Sequence, residues 1–194
     1  QAKLAEIGEK LGLKIWLPRN ARSGVLESWK PKENVLLEEL PFSFDDVMNS
    51  KNLTENIRLL DCSMPCDGSA AVLICSEEKA MKYTDTPTWI TGIGQKTISA
   101  SFTKNDDLVS MESTKTAVAD AYHMSHKTAT DVDVVELHDA FSVCEIIELE
   151  DMGFCQKGQG SKFVRDLYNT DDKKINPRGG LIGAGHPLGA TGIA

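Results

Sequence analysis

The chain has 194 residues, 41% hydrophobic and 26% charged, which suits one large soluble domain or two small ones with a real core. Its 29 Asp and Glu against 21 Lys and Arg give a formal net charge of −8, which argues against nucleic acid or an anionic membrane as partner. No apolar run approaches the roughly 20 residues that span a bilayer, the amino end is not a signal peptide, and the five cysteines, an odd count, read as reduced thiols of a cytoplasmic protein.

In chain order, Leu4, Ile7 and Leu11 recur at helical spacing, and Gly12 stands where a left-handed cap would end an amphipathic helix. From Leu13 to Pro41 the pattern breaks into an irregular excursion punctuated by Pro18, Asn20, Gly24, Pro31 and Asn34. Ser43 is placed to cap a short helix through Asp45, Asp46, Val47 and Met48, and Ile57-Arg58-Leu59-Leu60 reads as extended. The turn-rich stretch from Asp61 to Gly68 leads into Ser69 to Cys75, an apolar run typical of a strand buried on both faces. Ser76 then caps a helix with Glu77 and Glu78 in its first turn.

After Pro87, Thr88 to Gly94 reads as another strand, and Ala117, Ala121 and Met124 mark one face of a long helix that begins near Met111. Asp131-Val132-Asp133 turns the chain into a strand ending at His138, and Phe141, Ile146, Ile147 and the cap-like Gly153 define the next helix. Phe154 to Gly180 reads as connection, Leu181 begins a glycine-rich loop, and Pro187 opens a helix. Strands alternating with helices predict an α/β fold with a sheet covered on both faces. Gln1 enters directly into a helical pattern and Ala194 stops inside the first turns of a helix, so both ends read as cut from something longer.

Two stretches carry the chemistry: Val134-Val135-Glu136-Leu137-His138-Asp139-Ala140-Phe141, and Gly180 through Gly192 with His186 at its centre. Each delivers one histidine to a handover between regular elements, where helix starts offer unpaired N–H groups and a positive field to developing negative charge. Taken alone, either is an ordinary hydrogen-bonded histidine; the matched settings point to a shared site. Cys62 with Cys66, or His123 with His126, form pairs of metal-ligand type, but neither has a second pair at finger-like spacing, so no metal is assigned. Lys14, Arg19, Arg22, Lys30 and Lys32 make either a solvated face or a contact for phosphate groups.

His138-Asp139-Ala140-Phe141 followed by Gly185-His186-Pro187-Leu188-Gly189-Ala190-Thr191-Gly192 resembles the thiolase superfamily. The His-Asp-x-Phe form is similar to the sterol-carrier-type and archaeal thiolases rather than to the larger group with Asn-Glu-x-Phe. Asp67-Gly68-Ser69-Ala70-Ala71 resembles the last strand of the first thiolase half, and Ile175-Asn176-Pro177 with Gly179-Gly180 resembles the approach to the second histidine.

The resemblance implies a layered αβαβα thiolase fold, incomplete in this chain. Residues 1–68 would be the end of an inserted loop domain, 69–86 the last strand and helix of the N-terminal half, and 87–194 a truncated C-terminal half. It implies acetyl-CoA C-acyltransferase chemistry, either Claisen condensation or thiolysis. In that chemistry His186 activates a nucleophilic cysteine, and His138 completes the oxyanion hole. Ala140 and Phe141 would line the acyl pocket and Ser63 would meet the pantetheine arm. The nucleophilic and second acid/base cysteines of the family match nothing here, and Cys62 and Cys66 read as small packing residues. The implied partners are an acyl-CoA or coenzyme A as substrate, with no separate cofactor, further copies of the protein in a homodimer or homotetramer, and, for an archaeal-type member, hydroxymethylglutaryl-CoA synthase. The rivals are a ketosynthase-like enzyme, a thiolase-like aldolase, and a non-catalytic CoA-binding or scaffold subunit.

Overall fold

The computed structural model describes residues 9–10, 15–16, 26–28, 30–32, 36–37, 43–105, 107–168, 170 and 174–193. The helix expected from Leu4 to Leu11, most of the following excursion, and Lys14, Arg19 and Arg22 lie outside the described residues, apart from helical Glu9 and Lys10. A parallel pair joins β1 (Ile15–Trp16) to β2 (Leu36–Leu37). Then follow α1 (Phe44–Asn49), α2 (Glu77–Tyr83), α3 (Glu112–Ser125), α4 (Ser142–Asp151), α5 (Gly160–Tyr168) and α6 (Gly180–Ala184).

The caps read from sequence mostly form. Ser43 and Asp46 make a reciprocal capping box at α1, the Asp46 N–H donating to Ser43 Oγ at 3.2 Å and the Ser43 N–H to Asp46 Oδ2 at 2.7 Å. Ser76 does precede α2, but its side chain makes no capping bond. At the end of α4, Gly153 (φ 84°) takes the left-handed conformation while the Phe154 N–H donates to Leu149 O and the Gly153 N–H to Glu150 O, a Schellman closure.

The expected strands are where the structure departs. Among the described residues the only ladder is β1 with β2, supplemented by isolated bridges at Asn52 with Arg58, Cys62 with Phe141, Pro65 with His186 and Val135 with Ile175. The stretch at 57–60 is not extended throughout, because Asp61 Oδ2 accepts the Arg58 N–H at 2.9 Å and folds Leu59–Asp61 into a 3-10 turn. Residues 69–75 and 88–94 have strand-like composition without ladder partners, and Val72, Ile74, Ile90 and Ile93 are exposed. An apolar run signals burial on both faces only where something covers it.

Residues 88–94 are nonetheless anchored, through glycine. A Cβ at Gly92 or Gly94 would run into the carbonyl oxygens of Ala121 and Ala117, so the backbone lies directly on α3. Two residues of extended chain advance about 6.8 Å and four of helix about 6.0 Å, so a glycine pair two apart matches an alanine pair four apart. The Ala117 and Ala121 face is therefore used as expected, whereas Met124 is exposed.

The segment read as connection after Phe154 contains α5. Gly160 sits 2.6 Å, measured from where its Cβ would be, from Ile146 O and donates its N–H to Glu150 Oε1 at 2.8 Å, which seats α5 on α4. Asp151 ties α4 to the start of α3, accepting from Ser110 Oγ at 2.9 Å and the Met111 N–H at 2.6 Å. The small core sits on this frame: Leu149 is fully buried, with Leu137, Leu181 and Ala129 nearly so. Leu137 and Leu181 lie within the histidine stretches and Leu149 follows the first, so the packing centre also positions the site.

The glycine contacts give a stability test. Gly94→Ala should destabilise the full-length protein by about 3 kcal/mol through overpacking against α3, while Gly183→Ala, inside α6 with open space around it, should stabilise it by about 0.5 kcal/mol. Chemical denaturation of both variants checks the pair.

Candidate active site

His138 lies at the end of a segment in which the Val135, Leu137 and His138 N–H groups each find a different acceptor. The Val135 N–H donates to Lys174 O and the Asn176 N–H to Val135 O, both at 2.9 Å, as in a parallel ladder. The next rung does not come from backbone. Asn176 turns away with φ 42°, its carbonyl accepts the Gly179 N–H, and its side-chain Oδ1 instead accepts the Leu137 N–H at 2.7 Å. The His138 N–H then donates to Glu148 Oε2, from α4, at 3.0 Å. Side chains finish what a second strand would have supplied, and this is why the predicted strand is registered only at Val135.

His186 is positioned from the opposite end. Asp139, beside His138 and almost wholly buried, accepts the Leu181 N–H on its Oδ1 at 2.6 Å in the first turn of α6. Gly180 (φ 59°) leaves no room for a Cβ against that carboxylate. Helix α6 was hidden in the glycine run read as a loop, and Pro187 precedes a 3-10 turn, Leu188–Ala190, rather than an α-helix. The loop from Cys62 to Cys66 joins both histidine stretches: the Ser63 N–H donates to Ala140 O at 2.9 Å, the His186 N–H to Met64 O at 3.0 Å, and the Cys66 N–H to His186 O at 3.3 Å.

The result is a histidine pair with ring centroids 5.1 Å apart and planes at 81°, edge to face. His186 Nδ1 lies 2.8 Å from Thr191 Oγ1, which leaves Nε2 as its nitrogen for chemistry. His138 is exposed and His186 half-buried. A cavity of about 250 Å³ opens beside them, lined by Glu136, Leu137, His138, Arg178, Gly185 and Thr191 among others. Ala140 and Phe141 closely follow His138 in the chain, and Ser63 is joined to them by its N–H bond to Ala140 O and by the bridge of Cys62 with Phe141, but none of the three lines that cavity.

Sequence reading missed the supports. Asn176 Nδ2 also donates to Glu145 Oε2 at 2.8 Å, so one amide links the motif to α4. Cys66 packs its Sγ against Gly185, one residue from His186, closer to the pair than its neighbours in sequence suggested. Cys62 Sγ donates to Arg58 O at 3.5 Å. His126 is the left-handed C-cap of α3, and among the described residues no three His, Cys, Asp or Glu side chains gather as a metal site.

Below the pair lies an acidic group: Asp139, Glu145 and Glu148. Burial raises the Glu145 carboxyl, opposed by its Asn176 bond and reinforced by Asp139. Burial pushes Glu148 further, from 4.5 to about 7, against the His138 N–H bond and with help from Asp139, Glu145 and Asp151. A carboxyl raised in the folded state stabilises the fold below its unfolded pKa, and that contribution is lost as pH rises from 4.5 through about 7. Glu148→Gln should therefore gain on the wild type between pH 5 and pH 8, by about 2 kcal/mol once solvent screening is allowed for. Paired denaturation curves at the two pH values measure it.

Comparison with known proteins places these features in a family. Residues 94–194 match the thiolase C-terminal domain-like family. The chain is 41% identical over 152 residues to an acetyl-CoA acetyltransferase of Methanothermobacter thermautotrophicus, covering 77% of this chain and 40% of that protein. It is 38% identical over 160 residues to sterol carrier protein 2 of Bos taurus, covering 79% of this chain and 30% of that protein. Among solved structures, a chain of the Ltp2-ChsH2(DUF35) aldolase aligns with a TM-score of 0.64 at 22% identity, over 79% of this chain and 42% of that one, a likeness of fold. The chain thus spans well under half the length of each of these proteins. With its family match covering 94–194, a thiolase-like fold, and both histidine motifs inside that region, the chain belongs to the thiolase C-terminal domain family.

Proposed function

We propose that the protein carrying this chain transfers acyl groups between coenzyme A thioesters, as an acetyl-CoA C-acyltransferase working by condensation or thiolysis. The observation that carries this reading is the edge-to-face pair of His138 and His186, 5.1 Å apart, in a chain of this family. The nucleophilic cysteine belongs to the remainder of the whole protein. Its thiol passes a proton to His186 Nε2 as the sulfur attacks the acyl carbonyl. The carbonyl oxygen becomes an oxyanion held by His138 and the now protonated His186. Collapse expels the coenzyme A thiolate, which takes that proton back.

Ala140 and Phe141 line the acyl site and Ser63 meets the pantetheine arm. Residues 1–68 end the loop domain, 69–86 close the N-terminal half, and 87–194 belong to the C-terminal half of a layered αβαβα fold. The exposed Val72, Ile74, Ile90 and Ile93 then face the rest of that fold. The whole protein works as a cytoplasmic homodimer or homotetramer, with hydroxymethylglutaryl-CoA synthase as its partner if it is of archaeal type.

In the full-length protein, His186→Ala should lower kcat for thiolysis of acetoacetyl-CoA by about 10³-fold with KM little changed, because proton transfer matters in the transition state. His138→Ala should lower it by about 10²-fold, the loss of one oxyanion donor. Steady-state kinetics with added coenzyme A decide. Unchanged turnover in both variants would remove the histidine pair from the reaction, and coenzyme A binding without any turnover in the wild type would leave the aldolase or non-catalytic readings in its place.

A further inference from the structure

Glu148 is a buried acid that the proposed reaction does not use. It lies in α4 and reaches back to the segment that presents His138. The groups that face it are Glu145 and Asp151 on its own helix, Cys144 beside them, and His138 and Asp139 on the motif segment. All the carboxylates among these repel its charge. One residue earlier, the Leu137 N–H is satisfied by the neutral amide of Asn176. A neutral acceptor therefore suffices to pair a main-chain N–H here, and an acid buried among carboxylates does so at a cost in stability.

We propose that Glu148 is a positioning residue for His138: its carboxylate holds the main-chain N–H of His138, fixing the peptide that aims the imidazole at His186. The inference deepens the reading of the histidine pair as catalytic and rests on it for its kinetic consequence. Three constraints converge on the peptides around His138. Asn176 holds the preceding N–H, Glu148 holds its own, and the Ala140 N–H donates to its carbonyl at 2.8 Å. Apart from its edge-to-face contact with His186 the ring is exposed, so the backbone peptide fixes the Cα–Cβ direction from which it extends. Glu148 is the one of the three holds that can change charge near neutrality. An ionised acceptor makes the stronger hydrogen bond, so the grip tightens as the proton leaves, while the fold loses stability.

The test uses the full-length protein with Glu148→Leu, which removes the acceptor, and Glu148→Gln, which keeps one. Amide hydrogen exchange is followed at residue 138, with the Leu149 amide inside α4 as reference. Glu148→Leu should speed exchange at 138 by at least about tenfold, as expected when a hydrogen bond of about 1.4 kcal/mol is lost, and leave Leu149 unchanged. It should lower kcat with KM held, and Glu148→Gln should restore kcat. If Glu148→Leu does not fold, the isosteric variant decides. The 138 amide proton resonance of Glu148→Gln should coincide with wild type at pH 5 and lie upfield of it at pH 8, a difference in which ring titrations common to both proteins cancel. Wild-type exchange at 138 in Glu148→Leu, or resonances that coincide at both pH values, would overturn the proposal. If the wild-type protein has no acyl-transfer activity, the proposed function fails, and the amide measurements still decide the role of Glu148.

Discussion

The loop from Cys62 to Cys66 is the constraint on which the site depends. His138 and His186 come from stretches with different local structure, and no common strand or helix brings them together. One short loop hydrogen-bonds to both, through Ser63 to Ala140 and through Met64 and Cys66 to His186. The Asp139 carboxylate adds a direct link by capping the first turn of α6 at Leu181. These bonds bring the rings to 5.1 Å. Residues without side-chain bulk make the approach possible: Gly185 accommodates the Cys66 thiol, and Gly68 lies against Pro187 where a Cβ would be 2.6 Å away. The irregular backbone of that loop, interrupted by Pro65, is what lets it serve two neighbours.

A second theme is the use of side chains as main-chain partners. In an ordinary parallel sheet the neighbouring strand supplies each rung. Here Asn176 leaves the ladder at positive φ and substitutes its amide, and Glu148 supplies the next acceptor. A strand in register pairs with a whole neighbour and is hard to adjust at one residue. Two side-chain acceptors hold the approach to His138 locally, at the expense of burying acids close together. An acid raised by burial among other carboxylates in such a place marks a candidate functional position.

Legibility in the sequence followed the range of the interaction. Capping and periodicity are local, so the Ser43 helix, the long helix after Met111 and the Gly153 stop could be read directly, and the two histidine motifs could be paired by their settings. Ladder partners are not local. Residues 69–75 and 88–94 have the composition of buried strands, yet among the described residues they pair with no strand, and 88–94 instead lies on α3 through Gly92 and Gly94. Helix α5 was masked because glycine at 158 and 160, with its lysines and aspartate, resembles a loop until α4 is available as a seat. Asn176 could be read only as part of the motif before the second histidine and Glu148 gave no signal, since each acts on a residue ten or more positions away.

The central claim is that His138 and His186 act together on one oxygen. The most direct measurement is a crystal structure of the full-length protein with a bound acyl-CoA substrate. The account predicts the thioester oxygen at about 3 Å from a nitrogen of each ring, with His186 Nδ1 still on Thr191. A thioester bound away from the pair, or one whose oxygen is met by neither ring, would contradict it.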